Sequence, residues 1–309
     1  MNVTPTSTWD KKQLRSSRMQ PKKKLKSNDV LDIRWGFLVI PAVLMLVIVF
    51  LAPMLGMLMN SFYLPAGPGQ LSDTLTLQNY GKFLLDPFYL QILGRTFLLG
   101  FEVVVCCAVL AYPLTWVLLK YSPRVRGILT FLVISPLLIS VVIRNLGWMP
   151  LLGDTGMVNS VLMGLHLIDQ PLQLSSNMVA IVIGLTNAEL PFMILSLSAV
   201  MRKIDPALEE AAENLGANAW TIFWRIIFPM TKTGFLAGAL LVFTMTISSF
   251  TTPAMLGGHK VMVMATLVEQ QISAVLNYGF GAASAVILVV VAVTFSIWSF
   301  RAERQGEKK

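Results

Sequence analysis

Asp205-Pro206-Ala207-Leu208-Glu209-Glu210-Ala211-Ala212-Glu213-Asn214-Leu215-Gly216, running on to Ile226-Ile227-Phe228-Pro229, is a polar helical insert set between long apolar runs. Asp205 is placed to accept from the first free backbone N–H groups, Pro206 suits the first helical position, and Glu209 and Glu210 sit near the positive end of the helix dipole. Gly216 suits the left-handed conformation that closes a helix, Asn218 is placed to cap a second one, and Pro229 limits how far that second helix runs. The expected unit is helix, turn, helix. Ala211, Ala212 and Leu215 offer a compact surface, while Trp220, Phe223 and Trp224 are suited to pack the second helix against neighbouring spans or to fill a groove in a partner. A charged segment of this kind between apolar runs points to a docking partner outside the bilayer.

The rest of the chain makes the bilayer its solvent. Its 309 residues are 55% hydrophobic and 13% charged, with a mean hydropathy of +0.68, which excludes an ordinary soluble globule. A membrane helix needs about 20 mostly apolar residues, and six such runs occur, at 35–59, 94–119, 128–149, 177–201, 234–256 and 279–300. They are continuously apolar and do not alternate, so an all-α membrane protein with six spans is expected rather than a barrel.

Most of the 24 Lys and Arg residues fall in four segments: the tail 1–34, the loop with Lys120, Arg124 and Arg126, the insert 202–233 with Arg202, Lys203, Arg225 and Lys232, and the tail 301–309. Six spans put all four on one side, and the excess of positive charge makes that side the cytoplasm. The net charge of +8 then sets topology and needs no nucleic-acid partner. Residues 1–34 read as a disordered basic tail, with an electrostatic hold on anionic membrane lipid as the alternative. Pro65-Ala66-Gly67-Pro68-Gly69 is a turn signal in the first outer loop, and 262–272 reads as a short interfacial helix. Cys106 and Cys107 are adjacent within the second run and have no partner at metal spacing, so they read as small core residues.

Charges inside spans are costly and face a bundle interior or a watery cavity. Glu102, Arg144 and Glu189 are such charges, and Glu189 stands between Asn187 and Pro191, where a proline frees a backbone carbonyl. A cation pathway through them and a structural pairing of Arg144 with one of the acids are both open. Ser249 and Thr252, in a stretch that also holds Pro253, Gly257 and Gly258, mark a break at the end of the fifth run that is placed to form the outer part of a gate.

Glu210-Ala211-Ala212, three residues, Gly216, nine residues, then Ile226-Ile227-Phe228-Pro229 resembles the EAA loop of permease subunits of binding-protein-dependent ABC importers, with Phe228 where Leu is usual. The resemblance implies a type I importer permease fold with coupling helices. By the same resemblance, Glu209, Glu210, Ala211, Ala212, Leu215, Gly216, Ile226 and Pro229 couple the spans to an ATPase. It also implies the partners: two ABC ATPase subunits, a second permease and an external binding protein, in a bacterial cytoplasmic (inner) membrane with both termini inside. Val142-Ile143-Arg144-Asn145-Leu146-Gly147-Trp148, the stretch 151–159 and the stretch 248–258 resemble the first permease subunit of spermidine/putrescine importers and their relatives for opines and small amines. The charges within the spans and these stretches together make Glu102, Arg144, Asn145, Asn187, Glu189, Ser249 and Thr252 the candidate pathway residues.

The sequence holds no G-x-x-x-x-G-K-[ST] phosphate cradle, so the chain is expected to bind no cofactor itself and to leave ATP and Mg to the partner ATPase. The competing reading is an ion-coupled secondary transporter using Glu102 and Glu189. Catalysis is not expected, since His166 and His259 lie in loops without a nucleophile or metal-ligand constellation.

Overall fold

The structure, a computed structural model, describes residues 33–306, with side chains at 40–258, 260–297, 299 and 301. The basic tail expected over 1–34 lies outside the described residues up to 32, as do Lys308, Lys309 and the side chain of His259. Two units divide the chain, Met1–Leu55 and Gly56–Lys309. The described part of the first is α1 (Ile33–Asn60), which runs past its end and carries Pro41 and Pro53. Its side chains from Ile40 to Leu55 are all exposed, an arrangement that suits lipid rather than water.

The second unit opens with a hairpin, β1 (Tyr63–Gly67) and β2 (Gln70–Leu75), antiparallel with Gly67 opposite Gln70. The turn signal at Pro65–Gly69 is therefore a strand reversal, an addition to the all-α expectation, and Gly69 supplies the positive φ of 74° that the reversal needs. After α2 (Gln78–Leu85), Asp86 caps α3 (Pro87–Lys120) through Phe88 N at 2.9 Å. α3 is seven residues longer at its start than the run 94–119.

The run 128–149 is not one helix. α4 (Pro123–Ile134) passes into a 3₁₀ turn, Ser135–Leu138, and α5 (Val141–Leu152) leaves at a bend of 97° before α6 (Met157–Gly164). Pro136 has no N–H to give the Leu132 carbonyl, so the ladder ends there, and the Ser135 hydroxyl takes over that carbonyl at 2.8 Å. α7 (Met178–Met201), by contrast, coincides with its apolar run and starts on an Asn177 cap to Ala180 N at 3.0 Å.

The insert contains α8 (Pro206–Asn214), then α9 (Ala219–Ile222), a π turn (Phe223–Ile227) and α10 (Phe228–Met230), before α11 (Lys232–Ser248) departs at 73°. The fifth run breaks at Ser249, where φ −70° and ψ 123° are extended, and resumes as α12 (Thr251–Leu256). Residues 262–272 give only the short α13 (Met264–Glu269) and a π turn (Gln270–Ala274). α14 (Tyr278–Gly306) continues past residue 300, so the segment expected as a tail from 301 starts as helix.

α3, α7 and α11 pack into the core of this unit. Gly234 and Gly238 are four apart on α11 and face α7: a Cβ at Gly238 would lie 2.8 Å from Met193 Sδ, and one at Gly234 2.7 Å from Val200 Cγ2. Lipid supplies no hydrophobic drive for helix association, so close approach over small residues replaces it. On another side, the Phe243 ring of α11 packs at a tilt against Phe101 of α3 at 5.2 Å and Phe295 of α14 at 4.5 Å.

Candidate functional site

The insert folds as its caps dictate. Asp205 accepts from Ala207 N at 3.0 Å, Gly216 closes α8 with φ 84°, and Asn218 accepts from Thr221 N at 2.8 Å. Pro229 denies the Arg225 carbonyl its α-helical donor, and the wider π turn, closed by Phe228 N to Phe223 O, accommodates the ring just before the chain bends.

The expected coupling residues divide into two groups. Leu215 is 89% exposed, and Glu210, Ala211 and Gly216 also face outward. Glu209 turns the other way. Its Oε2 accepts from Trp116 Nε1 at 3.2 Å and pairs with Lys120 Nζ at 3.2 Å, the only ion pair among the described residues. Lys120 also lies over the Trp116 ring, 4.6 Å from its centroid. Ile226 is half-buried against the core, and the Tyr112 hydroxyl donates to Thr231 Oγ1 at 3.2 Å, since Thr231 itself donates to Ile227 O. Phe223 meets Tyr112 edge-on at 5.2 Å, whereas Trp220 remains 70% exposed.

The partners of Trp116, Lys120 and Tyr112 had no local signal, because they lie about a hundred residues away in the chain. Arg126 was likewise legible only as charge. Its Nη2 donates to Leu119 O at 2.9 Å and Tyr121 O at 3.1 Å, satisfying carbonyls at the end of α3. Trp116, Lys120, Arg126 and Glu209 border a cavity of about 590 Å³ that also touches Arg202, Ile204 and Pro206.

Within the core, Glu189 is 9% exposed and its Oε2 has no hydrogen-bond partner among the described residues. Pro191 leaves the Asn187 carbonyl without its helical donor one turn away, yet α7 runs on unbroken. Arg144 and Glu189 form no ion pair. Arg144 Nη1 donates instead to Pro136 O at 3.0 Å, so its firm contact is with the broken end of the 3₁₀ turn rather than with an acid. Glu102, half-buried on α3, has no ion-pair partner among the described residues.

Asn145 and Thr252 come together. Asn145 Nδ2 donates to Thr252 Oγ1 at 3.1 Å, and the two are 0% and 1% exposed, which makes them a cross-link between α5 and α12. Gly184 of α7 closes this junction, since a Cβ there would stand 3.0 Å from Thr252 Cγ2. Ser249 lies at the break beside it, half-buried. No cluster of three metal-ligating side chains occurs among the described residues.

Comparison with known proteins places this arrangement. The model of the family described as "Binding-protein-dependent transport system inner membrane component" matches residues 37–303. The spermidine/putrescine transport system permease protein PotB of Escherichia coli strain K12 is 33% identical over 264 residues, 85% of this chain and 96% of that protein. PotB of Haemophilus influenzae is 31% identical over 264 residues, 85% and 92% of the two chains. Among solved structures, a bacterial alginate ABC transporter in complex with pentasaccharide-bound periplasmic protein superposes with a TM-score of 0.69 at 17% identity, over 89% of this chain and 95% of that one. The last likeness shows the fold, and the first two show the family: the chain belongs to the binding-protein-dependent transport system inner membrane components and is a permease subunit of an ABC importer.

Proposed function

We propose that the chain forms half of the translocation pathway of an ATP-driven polyamine importer. In this reading it lies in the bacterial cytoplasmic membrane with both termini and the insert 202–233 inside. It works with two ATPase subunits, a second permease and an external binding protein. α8 is the coupling helix: its outward residues Glu210, Ala211, Leu215 and Gly216 enter a groove of the ATPase, and nucleotide-driven closure of two ATPases rocks the permease halves. The observation that carries the cargo is the 264-residue similarity to spermidine/putrescine permeases. Glu189 fits it, as a buried carboxylate with one oxygen unpartnered is complementary to an ammonium that has shed its water. Glu102 and Asn187 add acceptors along the path, Ser249 and the Asn145–Thr252 junction form its gate, and Arg144 is structural.

Uptake of labelled putrescine and spermidine into proteoliposomes containing the four-component complex tests this, with ATP supplied on the ATPase side. Accumulation that needs both ATP and the binding protein is expected. Preference for an anion such as sulfate would overturn the cargo, and accumulation by the chain alone under a proton or sodium gradient would overturn the ABC mechanism.

A further inference from the structure

The insert is joined in sequence to α7 and α11, yet among the described residues its side-chain hydrogen bonds and ion pair to other elements go to α3. At one end, Glu209 of α8 holds Trp116 and Lys120, side chains one turn apart at the end of α3. At the other, Thr231 holds Tyr112, one turn earlier still, while Phe223 and Phe228 pack on the same ring at 5.2 and 5.9 Å. Tyr112, Trp116 and Lys120 follow at intervals of four, so they form one stripe on one face of α3. We propose that α3 is the span that receives the motion of the coupling segment, and that the Glu209 latch onto Trp116 and Lys120 transmits it.

This deepens the reading of α8 as the coupling helix and rests on it. Two neighbouring carboxylates then have opposite duties: Glu210 faces the ATPase, and Glu209 faces its own chain. The latch is poised to transmit rather than merely to stabilise. Its ion pair is part-exposed, with Lys120 at 56% and Glu209 at 20%, so it adds little to folding, while its two donors fix where α8 sits against α3. Glu209 is a positioning residue, and Lys120 is held over Trp116 ready to meet it.

The test is a charge exchange in the assembled complex, reading solute-stimulated ATP hydrolysis and solute moved per ATP. Glu209→Lys and Lys120→Glu are each expected to lower both readouts by about fivefold, the upper end of the scale of one part-exposed ion pair. The exchanged pair Glu209→Lys with Lys120→Glu is expected to recover to within about twofold, because contacting residues are not additive. Glu209→Gln keeps an acceptor for Trp116 and guards against misfolding of the charge reversals; it should fall between wild type and Glu209→Lys. Single variants at wild-type level, or an exchanged pair no better than the singles, would sink the latch. Glu210→Lys runs in parallel: wild-type stimulation in that variant would remove the docking role of α8, whatever the latch pair does.

Discussion

A carboxylate that is 9% exposed with an oxygen left unpartnered, as at Glu189, loses water without regaining hydrogen bonds, a penalty of about 1–3 kcal/mol or more for a charged group. Such a group persists where something else requires it. Glu189→Gln keeps the shape and removes the charge, so the melting temperature in detergent should hold or rise while polyamine uptake falls at least about tenfold, the cost of one desolvated charge pair. A melting temperature lowered together with uptake would make Glu189 a structural residue instead. Arg144→Met should show the reverse balance. It strips the Pro136 carbonyl of its donor and should cost about 1–3 kcal/mol of stability, read from melting curves. Arg144 was legible as a charge in an apolar run, but its partner was not. The partner depends on a break at Pro136 that an uninterrupted apolar composition conceals, although the proline itself stood in plain view.

Elements follow the sequence best where their determinants are local. The bounds of α7, the Asp205 and Asn218 caps and the positive φ of Gly216 were all legible, because each depends on residues within four positions. The bend of 97° after Leu138 and the hairpin over 63–75 were not, since one apolar run looks like one span and a turn signal does not declare its flanking strands. Packing between elements was the least legible. Gly234 and Gly238 were part of an apolar run, and only the fold shows that α11 presses both against α7. A side chain there must displace Met193 or Ser196, so Gly238→Val should destabilise the chain by about 1–3 kcal/mol, the usual cost of overpacking. Thermal unfolding in detergent reads this directly. Gly94→Val is the matched control, as a Cβ at Gly94 meets nothing within 4 Å, and equal losses in both variants would remove close packing as the cause.

At the scale of the whole molecule, the side on which the insert stands depends on how many times the chain crosses between the hairpin and α8. α3 and α7 are each long and apolar enough to cross, and the bent pair Pro123–Leu138 and Val141–Gly164 is either one broken span or a re-entrant loop. Three crossings put Pro68 and Leu215 on opposite sides, and two put them on the same side. Charge decides between these. Lys120 precedes the bent pair, Arg124 and Arg126 lie in its first turn, and Arg202 and Lys203 follow α7, so positive charge collects on one side only if the pair crosses. Both probe positions are exposed, Leu215 by 89%. A chain with Cys106→Ser and Cys107→Ser carrying either Pro68→Cys or Leu215→Cys should therefore react with an impermeant maleimide from opposite faces of oriented vesicles. The Leu215→Cys thiol should also lose its reactivity when the ATPase is added, as the proposed seating of α8 in the ATPase groove requires. Labelling of both thiols from one face would make the bent pair re-entrant and carry the insert away from the ATP side. That outcome would remove the coupling role of α8 and the α3 latch together.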